Sequence, residues 1–186
     1  DTVLTDTLSI EVGDRLIYNS NMRTFGPVTI REALVLSLNI PTAQVALLLQ
    51  EARFYQYIQR FGFGQLTEVD LANEGPGSVK APGDSLWSRS DLATNAFGQG
   101  LAVTPMQMVR ATAVIANGGV LGGPHGGGSM GFRGRLGQPG TPPLRPGIQP
   151  EAADAVADMM VSVVEKGSPA AKVPGYKVAG KTGTAQ

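Results

Sequence analysis

Tyr176-Lys177-Val178-Ala179-Gly180-Lys181-Thr182-Gly183-Thr184-Ala185-Gln186 is the stretch whose reading decides the fold. Apolar and polar residues alternate from Tyr176 to Ala179, the pattern of a strand with one face buried. A cation, hydroxyls and glycines then crowd into Gly180-Lys181-Thr182-Gly183-Thr184. On a strand, Lys181 would set an ammonium beside a reacting group. Thr182 and Thr184 would offer hydroxyls to a carboxylate, and Gly183 would let a ligand approach the backbone where no side chain stands. Lys-Thr-Gly also occurs in plain turns, so the reading needs a second motif. Ser37-Leu38-Asn39, far upstream, supplies it.

Outward from Ser37 the local signals are clear. Thr29-Ile30-Arg31-Glu32 fits a capping box, in which the Thr hydroxyl takes an amide and Glu32 reaches back. A short helix follows through Ala33, Leu34 and Leu36. It should stop near Ser37-Leu38-Asn39, because Pro41 disfavours helix in the residue before it. Ser37 and Asn39 also suit the simpler task of closing that helix turn. Pro41 opens a second helix with an apolar stripe of Val45, Leu48, Leu49 and Ala52, and a further helical stretch runs from Phe54 to Phe61. Residues 1–28 read as short strands and turns.

Residues 67–87 read as loop, with Trp87 as its apolar anchor, and Asn95 to Gly100 as a glycine loop. No Gly-Lys-Ser/Thr follows Gly98-Gln99-Gly100, so it is not a phosphate loop. Thr104-Pro105 starts a helix with Met108, Ala111, Thr112, Ile115 and Ala116 on its stripe, Met106 and Met108 being core fillers. Residues 122–149 are about half Gly and Pro and are expected to form a mobile excursion. Pro150-Glu151 opens the last helix, with Val156, Met159, Met160 and Val163 apolar. Its Glu151, Asp154 and Asp158 read as a solvated acidic face and not a metal site.

Composition bounds the function. Lys plus Arg and Asp plus Glu each number 15 in 186 residues, a net charge of zero with no footprint for nucleic acid or anionic membrane. Cysteine is absent and His125 is the one histidine, which excludes thiolate chemistry, cysteine zinc sites and a Ser-His-Asp triad. No cofactor is implied. No apolar run approaches the roughly 20 residues of a membrane span. The opening Asp1-Thr2-Val3-Leu4 reads like the middle of a domain, so a fragment is expected. Helices with strands at either end make the class α+β.

Taken in order, the motifs resemble the transpeptidase domain of penicillin-binding proteins, recognised by Ser-x-x-Lys, Ser-x-Asn and Lys-Thr/Ser-Gly. Ser37-Leu38-Asn39 and Lys181-Thr182-Gly183 match the second and third. Ile30-Arg31-Glu32-Ala33-Leu34, Asn39-Ile40-Pro41, Phe97-Gly98-Gln99-Gly100, Val103-Thr104-Pro105-Met106-Gln107 and Ala116-Asn117-Gly118-Gly119 resemble the blocks around them. The resemblance covers most of the chain except 122–149, and looks more like the monofunctional class B enzymes of division or elongation than the bifunctional class A. It implies a β-lactamase/transpeptidase-like fold, mostly the helical lobe plus the start of the active-site strand of an antiparallel sheet, over residues 1–186. It also implies peptidoglycan stem peptides and β-lactams as ligands, division or elongation proteins as partners of the parent, and a place outside the cytoplasmic membrane. Ser37, Asn39, Lys181 and Thr184 are then the candidate catalytic residues and Thr182, Gly183 and Thr184 the candidate substrate-binding ones. Ser37 and Lys181 would share a proton path, Asn39 would hold a substrate amide, and the Thr184 amide would be an oxyanion donor.

The first motif is missing. The lysines are Lys80, Lys166, Lys172, Lys177 and Lys181, and three positions before them stand Gly77, Val163, Pro169, Pro174 and Val178. The nucleophile and its base are therefore expected to lie upstream of these residues or to be gone, and this stretch alone is expected to be inactive. A D,D-carboxypeptidase, a β-lactamase-type hydrolase and a non-catalytic penicillin-binding or sensor module remain as alternatives. No motif places a deacylating carboxylate here, which favours transfer over hydrolysis.

Overall fold

Four short strands do form in the first residues: β1 (Val3–Asp6), β2 (Ser9–Val12), β3 (Arg15–Tyr18) and β4 (Gly26–Thr29). The computed structural model describes residues 2–69, 71–124 and 144–183. β1 pairs antiparallel with β4, Leu4 opposite Val28, and β2 pairs with β3, Ile10 opposite Ile17. Gly13 (φ 63°) makes the two-residue β2–β3 connection, in a backbone region that glycine adopts without strain. The helices are α1 (Ile30–Val35), α2 (Asn39–Arg60), α3 (Arg89–Ala96), α4 (Pro105–Ala116) and α5 (Pro150–Ser162). Helices with small antiparallel sheets make this an α+β fold.

The chain divides into two compact units. In the first, residues 1–55, 80–101 and 155–186, Val12, Ile17, Ile40, Ala43 and Ala93 form the main apolar cluster, with Ile10, Leu47 and Phe97 against it. Val28, Ala33 and Leu38 form another. The stripe expected on α2 is corrected. Ile40, Pro41, Ala43 and Ala46 are its buried face, whereas Leu48 is 70% exposed. The helix breaks at Gln50 (φ 62°, ψ 165°), so Leu48 and Ala52 share no continuous face. Alanines at three-residue spacing also let the backbone come close to its neighbours, a signal that large-residue periodicity overlooks.

Helix α3 falls mostly in residues 88–94, to which the sequence assigns no element. Ser90, Asp91, Thr94 and Asn95 are all buried on it, so it carries no amphipathic stripe to detect. Its start is legible afterwards: the Asp91 carboxylate, three residues past the N-cap, accepts the Ser88 amide at 2.8 Å. Burial alone would raise the Asp91 carboxyl, but the hydrogen bond and charge of Lys80, 2.6 Å away, and the Ser88 amide hold it below the ordinary range. Trp87 anchors its loop as expected, packing edge-on to Tyr55 and donating from Nε1 to Tyr55 Oη at 2.8 Å.

In the second unit, residues 56–79 and 102–154, α4 has Thr104 as N-cap and Pro105 at its first turn. Its buried face is Gln107, Ala111 and Val114, and Met108 is 49% exposed, so Met108 is not a core filler. The fully buried Gln107 donates from Nε2 to the carbonyls of Gln65 and Pro76 at 2.7 and 2.8 Å, and its Oε1 accepts the Thr104 amide. A polar residue at the centre of the buried face shifts the apparent periodicity. Val120–Leu121 pairs antiparallel with Arg145–Pro146. Residues 125–143, most of the Gly/Pro-rich excursion and His125 with it, lie outside the described residues.

One local expectation fails. Residues 176–183 form no strand among the described residues. Tyr176 turns back on Val173, and the Gly180 amide donates to the Met160 carbonyl of α5 at 3.2 Å. An alternating pattern needs a ladder partner to become a sheet strand, and here helix α5 takes the one amide instead.

Candidate active site

The position of Ser37 follows from how α1 ends. Thr29 and Glu32 close a reciprocal capping box at the helix start, with the Thr29 amide donating to Glu32 Oε2 at 2.8 Å and the Glu32 amide to Thr29 Oγ1 at 3.2 Å. The Thr29 amide and the Thr29 hydroxyl, 2.9 Å from the same Oε2, hold the Glu32 carboxyl below its ordinary range. At the other end Leu36 is the C-cap. The Leu38 amide reaches back to the Ala33 carbonyl at 2.9 Å, and the Ser37 amide to that of Leu34 at 3.3 Å. Leu38 also joins Ala33 in one apolar cluster. Both bonds and the contact are those of a Schellman closure. Its left-handed position, where glycine is preferred, is occupied by Ser37 at φ 54°.

The backbone closes the helix turn by itself, so the Ser37 side chain has no capping task. Its Oγ instead accepts a 2.8 Å hydrogen bond from Lys181 Nζ, across 144 positions of sequence. Lys181 Nζ also reaches Thr182, at 3.1 Å to its carbonyl and 3.2 Å to its hydroxyl. Loss of hydration lowers the Lys181 pKa from that of a free lysine. Lys181 Nζ thus donates toward the hydroxyls of both Ser37 and Thr182.

Asn39 sits one residue past Leu38, at the start of α2, but its side chain is committed differently. Nδ2 donates to the Tyr18 carbonyl at 2.9 Å, which ties the motif to the end of β3. The Asn39 amide is capped by Asn19 Oδ1 at 2.9 Å, and the Ile40 amide lies 3.3 Å from the same oxygen. Asn19 Nδ2 in turn donates to the Asp6 carboxylate at 2.8 and 3.0 Å and to the Arg23 carbonyl at 3.0 Å. Asp6 and Asn19 are 1% and 2% exposed. A reading of residues 1–28 as short strands and turns does not reach this polar support. Only the run of polar residues at a strand end hinted at it.

Thr182 lies beside Lys181, and a side chain added at Gly183 would meet nothing within 4 Å, so the backbone there is open to a ligand. Thr184 lies outside the described residues. Among the described residues no group of acidic residues and histidine is arranged to hold a metal.

A capped helix ending in a strained serine, with a lysine from Lys-Thr-Gly on its hydroxyl, defines a class of protein. The chain belongs to the penicillin-binding protein transpeptidase domain family, whose model matches residues 2–186. Among its relatives, PbpB of Mycobacterium tuberculosis is 32% identical over 201 residues, which span all of this chain and 28% of that protein. The peptidoglycan D,D-transpeptidase FtsI of Escherichia coli K12 is 32% identical over 167 residues, 87% of this chain and 26% of its own length. The chain thus spans less than a third of these relatives. The crystal structure of penicillin binding protein 3 from Mycobacterium tuberculosis complexed with aztreonam superposes with a TM-score of 0.85 at 32% identity, covering all of this chain and 43% of that one. A complex of the same protein with ampicillin matches equally well.

Proposed function

We propose that this chain is part of a serine-type peptidoglycan D,D-transpeptidase that cross-links stem peptides through an acyl-serine intermediate and is acylated by β-lactams. The hydrogen bond between Lys181 Nζ and Ser37 Oγ carries the reading. In the reaction a serine outside these residues attacks the stem-peptide carbonyl, its proton passes to the departing amine, and a second stem-peptide amine then releases the acyl group. Ser37 and Lys181 form one side of that proton path. Thr182 and Gly183 bind the substrate beside it, with the Thr184 hydroxyl receiving a carboxylate and the Thr184 amide the oxyanion. Asn39 has a share beyond holding a substrate amide. With Nδ2 on the Tyr18 carbonyl, it fixes the loop that carries Ser37 before any substrate arrives. The site faces the peptidoglycan, outside the cytoplasmic membrane.

Two labelling reactions with a fluorescent penicillin, read by denaturing electrophoresis, test this. The full-length protein should carry a covalent label. The 186-residue stretch alone should carry none, because no serine in it stands three residues before a lysine. An unlabelled full-length protein would refute the transpeptidase reading, and a labelled stretch would place a nucleophile where none is assigned. A trapped acyl-enzyme that persists for hours supports transfer, and rapid deacylation of a β-lactam would point to a hydrolase.

A further inference from the structure

The Ser37 loop and the Lys181 segment are joined by more than their one hydrogen bond. Arg31 lies on α1, in the turn before Ser37. Its Nη1 donates to Ser162 Oγ at 3.0 Å, and its Nη2 lies 2.9 Å from Asp158 Oδ2, both on α5. Helix α5 also accepts the Gly180 amide on the Met160 carbonyl. Beyond Ser162 the helix widens into a π turn, Val163–Gly167, closed by the Ser168 amide on the Val163 carbonyl at 3.0 Å. A Cβ at Gly167 would lie 3.0 Å from the Val35 carbonyl at the end of α1, and one at Gly180 3.3 Å from Val164 Cγ2. Both partners of the Ser37–Lys181 contact thus rest on the same stretch of α5, one through Arg31 and the close approach at Gly167, the other through Met160 and Val164.

The geometry points to Arg31 as a positioning residue: its fork on Asp158 and Ser162 sets α1 at the distance from α5 at which Ser37 Oγ meets Lys181 Nζ. An ion pair as exposed as this one, with side chains 40% and 58% accessible, adds little to stability. What it supplies is direction, because a planar guanidinium holds two acceptors at fixed angles where an ammonium holds neither rigidly. Displacing a proton-transfer pair by a fraction of an ångström slows chemistry without loosening ligand binding. Widened helix turns also cluster at functional sites, and this one lies where both arms meet.

The inference rests on the transpeptidase reading, and the experiment separates the two. In the full-length protein, saturation kinetics with a β-lactam give the acylation rate constant and the affinity of the preceding non-covalent complex. Arg31→Met should lower the rate constant about tenfold, leave the affinity within about twofold and leave the melting temperature close to wild type. Arg31→Lys should recover part of the loss, and so should the charge-swapped pair Arg31→Asp with Asp158→Arg. Ser162→Ala, a milder change for the fold, should slow acylation severalfold with the same signature. Wild-type acylation with an unaffected rate in Arg31→Met and Ser162→Ala overturns the positioning role. So does a loss that appears only in affinity or only in melting temperature. A wild-type protein that is not acylated at all overturns the transpeptidase reading first, and the role of Arg31 with it.

Discussion

Ser37→Gly in the full-length protein should be acylated by a β-lactam about a hundredfold more slowly than wild type, yet melt no lower. The two halves of this result have separate causes. Removing the hydroxyl removes the acceptor of the Lys181 proton, and a positioned acid–base group contributes about 10² or more to a rate. Glycine meanwhile fits the backbone better than serine does. Ser37 stands in the left-handed position of the α1 closure at φ 54°, where an L-residue costs about 1 kcal/mol relative to glycine. Ser37→Ala should lose a similar factor in rate, at least tenfold, without the relief. A serine kept where glycine would be more stable is explained by its chemistry. Thermal unfolding and stopped-flow acylation of the two variants check this. If Ser37→Gly is acylated at the wild-type rate, or if it melts well below Ser37→Ala, the assignment of that strain to function is wrong.

Asn19→Ala should destabilise the protein by about 3 kcal/mol or more, the largest stability effect expected near the site. Asn19 has a partner for every polar atom of its side chain, and none can turn to water. Deleting it strips both Asn19 Nδ2 contacts from the buried Asp6 carboxylate, leaving that group the Phe25 amide at 2.9 Å as its hydrogen-bond donor among the described residues. Hydrogen bonds to a charged group are worth about 1.5–3 kcal/mol, and an N-cap about 1 kcal/mol more. The cap lost is that of α2, which begins at Asn39, so acylation should slow as the Ser37 loop loosens. Asn19→Asp keeps the cap oxygen but sets a second carboxylate against Asp6, and should be at least as harmful near neutral pH. Denaturant unfolding measures both, and a loss under about 1 kcal/mol in Asn19→Ala would mean that water takes over its bonds.

How much of this was legible in the sequence depends on range. The capping box at Thr29, the Thr104-Pro105 helix start and the stop before Pro41 are local, and they formed as read. The anchoring of its loop by Trp87 was also local, whereas the break at Gln50 was not foreseen, the expected stripe running across it to Ala52. What failed was reading faces from large apolar residues. Alanines carry the buried face of α2, and a glutamine lies at the centre of the buried face of α4. Helix α3 carries no legible stripe because its buried residues are largely polar and bonded to partners far off in sequence, Asp14 for Ser90 and Tyr55 for Asn95. At the site, ordered motifs were enough to bring Ser37 and Lys181 together. The task of Asn39 was not legible, because it depends on Tyr18 and Asn19, whose relation to it exists only in three dimensions.

The central claim is that Ser37 and Lys181 act as one device. A double-mutant cycle on the second-order acylation rate constant of the full-length protein, with Ser37→Ala, Lys181→Met and the pair together, measures it most directly. Groups that pass a single proton between them lose their function once, so the double variant should be no more than about twofold slower than the slower single variant. A double variant whose loss equals the product of the two single losses would show that the two residues act independently, and would contradict the account.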